Sequence, residues 1–328
     1  MNKKVVVIGG GTGSYTILSG LKELENIEIT AIVASTDSGG STGRLRDEFG
    51  YLPVGDIRQC LVALAENSEE QRILQKLFTY RFDKGGNGLE GHNFGNLFMT
   101  ALREIVGNEL IAIKYIEKIL NIKGKVYPVT LDDCQLVAEY ENGEVVIGES
   151  NIDEPQYPHD GRLKISKLST KPKSETHAKV IDSIKQADLI IIGPGDLYTS
   201  IIANFIIDGV RDAIKKSSAK KIYISNLVTK FGQTFDFKLS DHLNEVEKYS
   251  TKMDYILVNS KPLSREILKK YKLENAYPVV NDLLNDGRII LTDLLATEKI
   301  KTIKGDILKR SLIRHDSVKI ASTIKEFL

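Results

Sequence analysis

The feature that most constrains this chain is a β-branched run, Lys4 to Ile8, that ends on Gly9-Gly10-Gly11-Thr12-Gly13-Ser14. A helical spacing of apolar residues follows at Ile17, Leu18, Leu21 and Leu24. Ile27 to Ala34, rich in Ile, Val and Thr, then supplies a second strand, so the first thirty-five residues read as a βαβ unit. A turn made of glycines lets the backbone approach a phosphate closely. The helix N-terminus behind it offers unpaired N–H groups and partial positive charge. Gly9, Gly11 and Ser14 approximate the dinucleotide fingerprint G-x-G-x-x-G/A, with Ser14 replacing the last small apolar residue. The first acid after the second strand, Asp37, comes late, and no Walker lysine follows the glycines. The spacing favours a phosphorylated nucleotide over a nicotinamide dinucleotide; a tight turn without ligand is the competing reading.

The same logic returns late in the chain. His177–Gln186, Ser200–Ser217, Ser240–Thr251 and Ser264–Tyr271 have helical patterns, alternating with strands at Ala187–Ile192, Lys221–Ile224 and Tyr255–Val258. Strands alternating with helices predict an α/β, doubly wound, mostly parallel sheet covered on both faces. Between the two halves, Ser35–Gly43 and the five-glycine stretch Asp83–Gly95 read as loops. Asp56–Asn67, Glu69–Phe82, Leu97–Val106 and Leu110–Leu120 read as helices, so residues 56–120 form a helical cap. Residues 125–170 read as an antiparallel excursion, with Leu136–Tyr140 and Glu144–Ile147 flanking the turn Asn142-Gly143. Ser311–Leu328 is expected as an exposed terminal amphipathic helix. The length of 328 residues fits one large domain, 1–328, carrying these two additions.

Composition excludes more than it assigns. With 45 Lys+Arg against 44 Asp+Glu, the net charge is +1, which argues against a dedicated nucleic-acid binder. Apolar runs such as Val5–Ile8 and Leu189–Ile192 are too short to span a membrane. Cys60 and Cys134 make neither a disulfide framework nor a closed zinc site, which fits a cytoplasmic protein.

A second glycine loop, Gly193-Pro194-Gly195-Asp196, ends the strand Ala187–Ile192 and leads to Leu197 and Ser200. Ligands of open α/β sheets sit at the carboxyl ends of strands near the topological switch, so the two loops could line one crevice. Asp196 would accept from a ribose or base, or simply cap the helix. Asp37-Ser38-Gly39-Gly40-Ser41-Thr42-Gly43-Arg44-Leu45-Arg46 lies at a carboxyl end too, and its guanidinium forks suit a diphosphate or a carboxylate, with a solvated loop carrying surface arginines as the competing reading. Asp56, Arg58, His92, Asn93 and Asn96 add polar groups at helix starts, where Asp56 and Asn93 also fit plain N-caps. No H-E-x-x-H, cysteine cluster or nucleophile elbow is present. No tightly held metal or cofactor is expected; Mg²⁺ arriving with a diphosphate fits.

Taken in order, these segments and the later runs Asn226-Leu-Val-Thr229, Asp241-His242 and Val258-Asn259 resemble the CofD-like family. Within it they resemble the YvcK branch, the putative gluconeogenesis factors, over essentially the whole chain. The resemblance implies a Rossmann-like core with helical and hairpin elaborations. It places Gly9–Gly13, Asp37, Arg44, Gly193–Ser200 and Asn226 in a nucleotide crevice. It offers Tyr271 and Arg314 as anchors for a sugar or base. It implies a UDP-sugar-binding regulatory factor for cell shape and growth on gluconeogenic carbon, read by a protein partner; a homodimer is a reasonable assembly. The other branch implies an enzyme, a Mg²⁺-dependent 2-phospho-L-lactate transferase, with Arg44, Arg46, Arg58 and His92 on donor and acceptor. Two departures stand out: Asp37-Ser38 where the family has Asp-Asp, and Thr229-Lys-Phe-Gly-Gln-Thr234 where it has Thr-Gln-Pro-Gly-Glu-Thr.

Overall fold

The computed structural model describes residues 2–155, 158–297 and 312–328. Its ten strands are β1 (Lys3–Gly9), β2 (Ile27–Val33), β3 (Lys125–Pro128), β4 (Gln135–Tyr140), β5 (Val145–Ile147), β6 (Ile165–Lys171), β7 (Leu189–Ile192), β8 (Lys220–Ile224), β9 (Tyr255–Asn259) and β10 (Ile289–Thr292). Seven form one sheet in the order β10-β9-β8-β7-β1-β2-β3, every neighbouring pair parallel. The fold is the Rossmann-like α/β class. Strand β1 explains why. Its β-branched side chains are buried on both faces: Val5 and Val7 enter one core, Val6 and Ile8 the other. The chain winds outward from β1 through β2 to β3, then returns to the other side of β1 at β7. The topological switch therefore falls between β1 and β7, where both glycine loops emerge.

The helices before the return are α1 (Gly11–Leu21), α2 (Gly40–Phe49), α3 (Gly55–Leu64), α4 (Glu69–Thr79), α5 (Gly86–Leu89), α6 (Phe94–Val106) and α7 (Glu109–Ile119). Helix α8 (Glu149–Asp153) follows the hairpin. Strands β5, β4 and β6 form a separate antiparallel sheet.

Five expectations need correction. Lys125–Pro128 is a parallel edge strand beside β2, with Val126 and Pro128 buried, so the antiparallel part starts only at Gln135. The loop expected over Ser35–Gly43 winds into α2 at Gly40, whose φ of +50° starts the turn and buries Ser41 and Thr42. The loop expected over Asp83–Gly95 contains the short α5. The helix expected over Ser200–Ser217 is broken. Leu197–Ile202 is a π-type turn, and the chain restarts at Val210 after Gly209, at φ +91°. The last helix runs Ser317–Lys325, and it is not free: Ile320 and Ile324 are fully buried against α1. Residue 311, where that helix was expected to begin, lies outside the described residues.

Gly20 makes that docking close, since a Cβ there would lie 2.0 Å from the Ser317 carbonyl oxygen. We expect Ile324→Ala to lower the unfolding free energy by about 2–4 kcal/mol, through lost transfer energy and the cavity left behind. Urea denaturation measures this.

Candidate functional site

The two glycine loops touch. A Cβ on Gly13 would fall 1.9 Å from the Pro194 carbonyl oxygen, so only glycine lets α1 approach the second loop. Two asparagines brace the contact. Asn204 Nδ2 donates to the Gly9 carbonyl (3.2 Å), and Asn226 Nδ2 donates to the Gly195 carbonyl (2.8 Å). Gly10 also lies against Ser200, the middle of the π-type turn, a geometry frequent at functional sites. Helix α1 begins without a side-chain cap at Gly10. Thr12 is half-buried at this edge, with its Oγ1 3.5 Å from Gln59 Oε1.

Carboxylates surround this junction. A Cβ on Gly10 would meet Asp56 Oδ2 at 2.5 Å, and Gly11 donates its N–H to Asp56. A carboxylate thus stands where α1 offers its first donors to an anion. Asp37 flanks Gly55 on the other side and accepts from the Gly39 N–H at 2.8 Å. Glu149 reaches in from α8, accepting from the Ser38 N–H at 3.5 Å. Asp153 lies one helical turn further along α8, beside Asp196. All five carboxylates are half-buried. Burial and then Asp37's charge push Asp56 up to about 8. Burial and then Asp196 raise Asp153 to about 6. Glu149 is raised well above the usual carboxylate range by burial and by Asp37, and Asp37 is raised by burial against the opposing pull of Gly39, Thr42, Arg46 and Arg58. Such crowding of like charge is characteristic of functional sites.

Among the described residues no three His, Cys, Asp or Glu side chains group as a metal cage. The half-buried pair Asp37 and Asp56 nonetheless fits a hard cation shared with a diphosphate, because Mg²⁺ is commonly held by one or two carboxylates plus phosphate oxygens.

Of the arginines expected to hold a diphosphate, Arg46 and Arg58 are tied into the fold, while Arg44 stays exposed. Arg46 is buried, bonding Asp133 and the Cys134 carbonyl (2.7 Å), so it pins the small sheet's entry to α2. Arg58 is buried behind Asp56, donating to Asn96 Oδ1 (2.7 Å) and the Phe78 carbonyl (3.0 Å). Arg44 is exposed and donates to the Glu90 carbonyl. His92 is a buried structural histidine, its Nδ1 3.1 Å from Ser41 Oγ; burial and Arg44 hold its pKa below the usual imidazole range. Asn93 caps α6, and Asn96 ties Arg58 to Ser41 and Thr42. These residues form the wall behind Asp37 and Asp56. Leu197 is a core side chain, 1% exposed, and can offer only its backbone. Tyr271 is 4% exposed, and its hydroxyl accepts from the N–H groups of Leu312 and Ile313. Arg314 is half-buried on that same C-terminal segment, its carbonyl accepting from the Ala296 N–H.

Sequence reasoning missed Glu149, Asp153, Lys230, Gln233 and Asn204. Lys230 Nζ bonds Asp153 Oδ1 and lies 3.0 Å from Asp196 Oδ2. Gln233 donates to Asp153 and accepts from the Tyr198 N–H. The unusual run Thr229–Thr234 was a signal for Lys230 and Gln233; nothing local marked Glu149, Asp153 or Asn204.

A parallel sheet whose strand order reverses at two abutting glycine loops, with acids beside them, is a Rossmann-like architecture. The family model described as "2-phospho-L-lactate transferase CofD" matches residues 5–308, and the chain belongs to the CofD family. Relatives matched over nearly their full length include proteins named gluconeogenesis factor or putative gluconeogenesis factor. It is 44% identical over 323 residues to the putative gluconeogenesis factor of Thermotoga maritima, covering 98% of both chains. It is 40% identical over 331 residues to the gluconeogenesis factor of Bacillus subtilis, covering 99% of this chain and 98% of that one. The crystal structure of protein BH3568 from Bacillus halodurans superposes with a TM-score of 0.88 at 36% identity, covering 99% of this chain and 100% of that chain. The same protein is described elsewhere as a member of the UPF0052 family. Among the described residues no helix is long and apolar enough to cross a membrane.

Proposed function

We propose that the protein is a cytoplasmic nucleotide-sugar-binding regulatory factor that takes a UDP-sugar, with Mg²⁺ on the diphosphate, and supports cell shape and growth on gluconeogenic carbon. The observation that carries this reading is the Gly13–Pro194 contact, which packs the two glycine loops side by side at strand ends where a phosphate could meet both. The acids at its mouth support the cation: negative charge there opposes a bare diphosphate and raises the carboxyls' own affinity for protons, and a divalent ion shared with the phosphates relieves both. The buried arginines favour a binding site over a transfer site, because Arg46 and Arg58 are held by the fold and not aimed at a donor. Ligand would stabilise one arrangement of the crevice and its surroundings, which a protein partner reads.

A second reading, a Mg²⁺-dependent phosphotransferase of the 2-phospho-L-lactate transferase type, is favoured by one observation. Asp56 brings a second carboxylate beside Asp37, supplying the pair that Ser38 removes from the adjacent position. Calorimetry separates the two. UDP-N-acetylglucosamine with Mg²⁺ is expected to bind and GDP to compete poorly. Absence of heat at millimolar UDP-sugar refutes the first reading, and preferential guanosine binding with turnover of a deazaflavin acceptor establishes the second.

A further inference from the structure

Lys230 is where three separate segments meet: the second glycine loop through Asp196, α8 through Asp153, and its own loop after β8. Its two partners are held unequally. Asp153 also accepts from Gln233 Nε2 at 2.8 Å and Thr199 Oγ1 at 3.3 Å, and its side chain is 25% exposed. Asp196 is held by Lys230 and by the neighbouring Asp153 carboxyl, and its side chain is 41% exposed. Among the described residues the Lys230 ammonium donates to these two carboxylates and to no backbone carbonyl, in contrast to Arg46 and Arg58, which also bond backbone carbonyls.

We propose that the Asp196–Lys230 ion pair is exchanged for ligand: the distal phosphate of a nucleoside diphosphate takes the Lys230 ammonium, while a ligand hydroxyl takes the Asp196 carboxylate. This rests on the nucleotide-binding reading above and adds the group that tells a diphosphate from a monophosphate. The exchange leaves neither charged group unpaired: the ammonium passes from the Asp196 carboxylate to a phosphate, and that carboxylate accepts from a ligand hydroxyl instead. An ammonium on a flexible four-carbon stem suits this, because it moves as a point charge and needs no fixed fork. Asp153 stays with Lys230 throughout. The position of the ammonium, set by ligand, is therefore passed to α8 and through it to the small antiparallel sheet.

The test is calorimetry with UMP and UDP, Mg²⁺ in excess, on the wild-type chain, Lys230→Gln, Lys230→Arg and Asp196→Asn. The ratio of UDP to UMP affinity is expected to fall about tenfold or more in Lys230→Gln and to survive in Lys230→Arg. In Asp196→Asn, which frees the lysine from its resting partner, UDP is expected to bind severalfold more tightly. This arm holds even if Lys230→Gln folds poorly. An unchanged UDP-to-UMP ratio in Lys230→Gln, or weakened UDP binding in Asp196→Asn, overturns the exchange and leaves the nucleotide reading intact. Failure of the wild-type chain to bind either nucleotide overturns both.

Discussion

Replacing Gly13 by alanine is expected to remove nucleotide binding and to lower the midpoint of thermal unfolding by several degrees. The added methyl would lie 1.9 Å from the Pro194 oxygen and 2.6 Å from its carbonyl carbon. Both are backbone atoms, so no side-chain rotation relieves the overlap. The second loop cannot drift freely either, because Asn226 holds the Gly195 carbonyl at 2.8 Å. Overpacking of this kind typically costs about 1–3 kcal/mol, and here it also parts the two loops that form the crevice. Gly287→Ala is the control: nothing lies within 4 Å of its Cβ position, and it should change neither quantity. Circular dichroism melts and nucleotide titrations of the two variants check this. Normal binding by Gly13→Ala would mean that the loop contact does not shape the site.

Asp56→Asn is expected to stabilise the unliganded protein, and to do so more as pH rises. The carboxyl's ordinary value is 3.8 and the fold raises it to about 8. Below about pH 4 both the folded and unfolded chains carry the proton, and the group has no pH effect. Between there and about pH 8 the folded chain keeps a proton the unfolded chain has lost, so stability declines with rising pH. Above about pH 8 the folded chain must carry the repelled charge. Asparagine keeps an oxygen acceptor for the Gly11 N–H without that charge. Discounted for the water reaching a half-buried carboxyl, the gain is on the order of 2 kcal/mol at pH 8. The same substitution should weaken Mg²⁺-dependent nucleotide binding, the usual exchange of stability against function. Urea curves at pH 5, 7 and 8.5 should converge with wild type at the acid end and separate at the alkaline end. Curves that stay parallel would place no strained carboxyl at this position.

The legible parts of this chain are those whose chemistry is local. Gly9–Gly13 and Gly193–Asp196 announce themselves because glycine between a β-branched strand and a helix has few other uses, and both loops fall where the pattern puts them. The edge strand Lys125–Pro128 was hidden by its position next to the hairpin; four residues do not declare which sheet they join. Arg46 and His92 read as ligand contacts from their polar, glycine-rich neighbourhoods. Their partners, Asp133 for Arg46 and Ser41 for His92, are long-range choices that no spacing encodes. The same holds for the acids. Asp56 fits a helix cap by sequence, and Glu149 sits in a connection. Only the fold carries Glu149 to a loop 111 residues away and brings both into one charged cluster with Asp37. The run Thr229–Thr234 looked like a local departure, and its meaning lay in Asp153 and Asp196, on other elements.

In the proposed site one nucleotide spans both glycine loops. A crystal grown with UDP-N-acetylglucosamine and Mg²⁺ tests it most directly. Continuous electron density is expected from Gly9–Gly13 to Gly193–Asp196, with a cation beside Asp37 and Asp56. A nucleotide that contacts one loop alone, or that lies away from the β1–β7 switch, would contradict it.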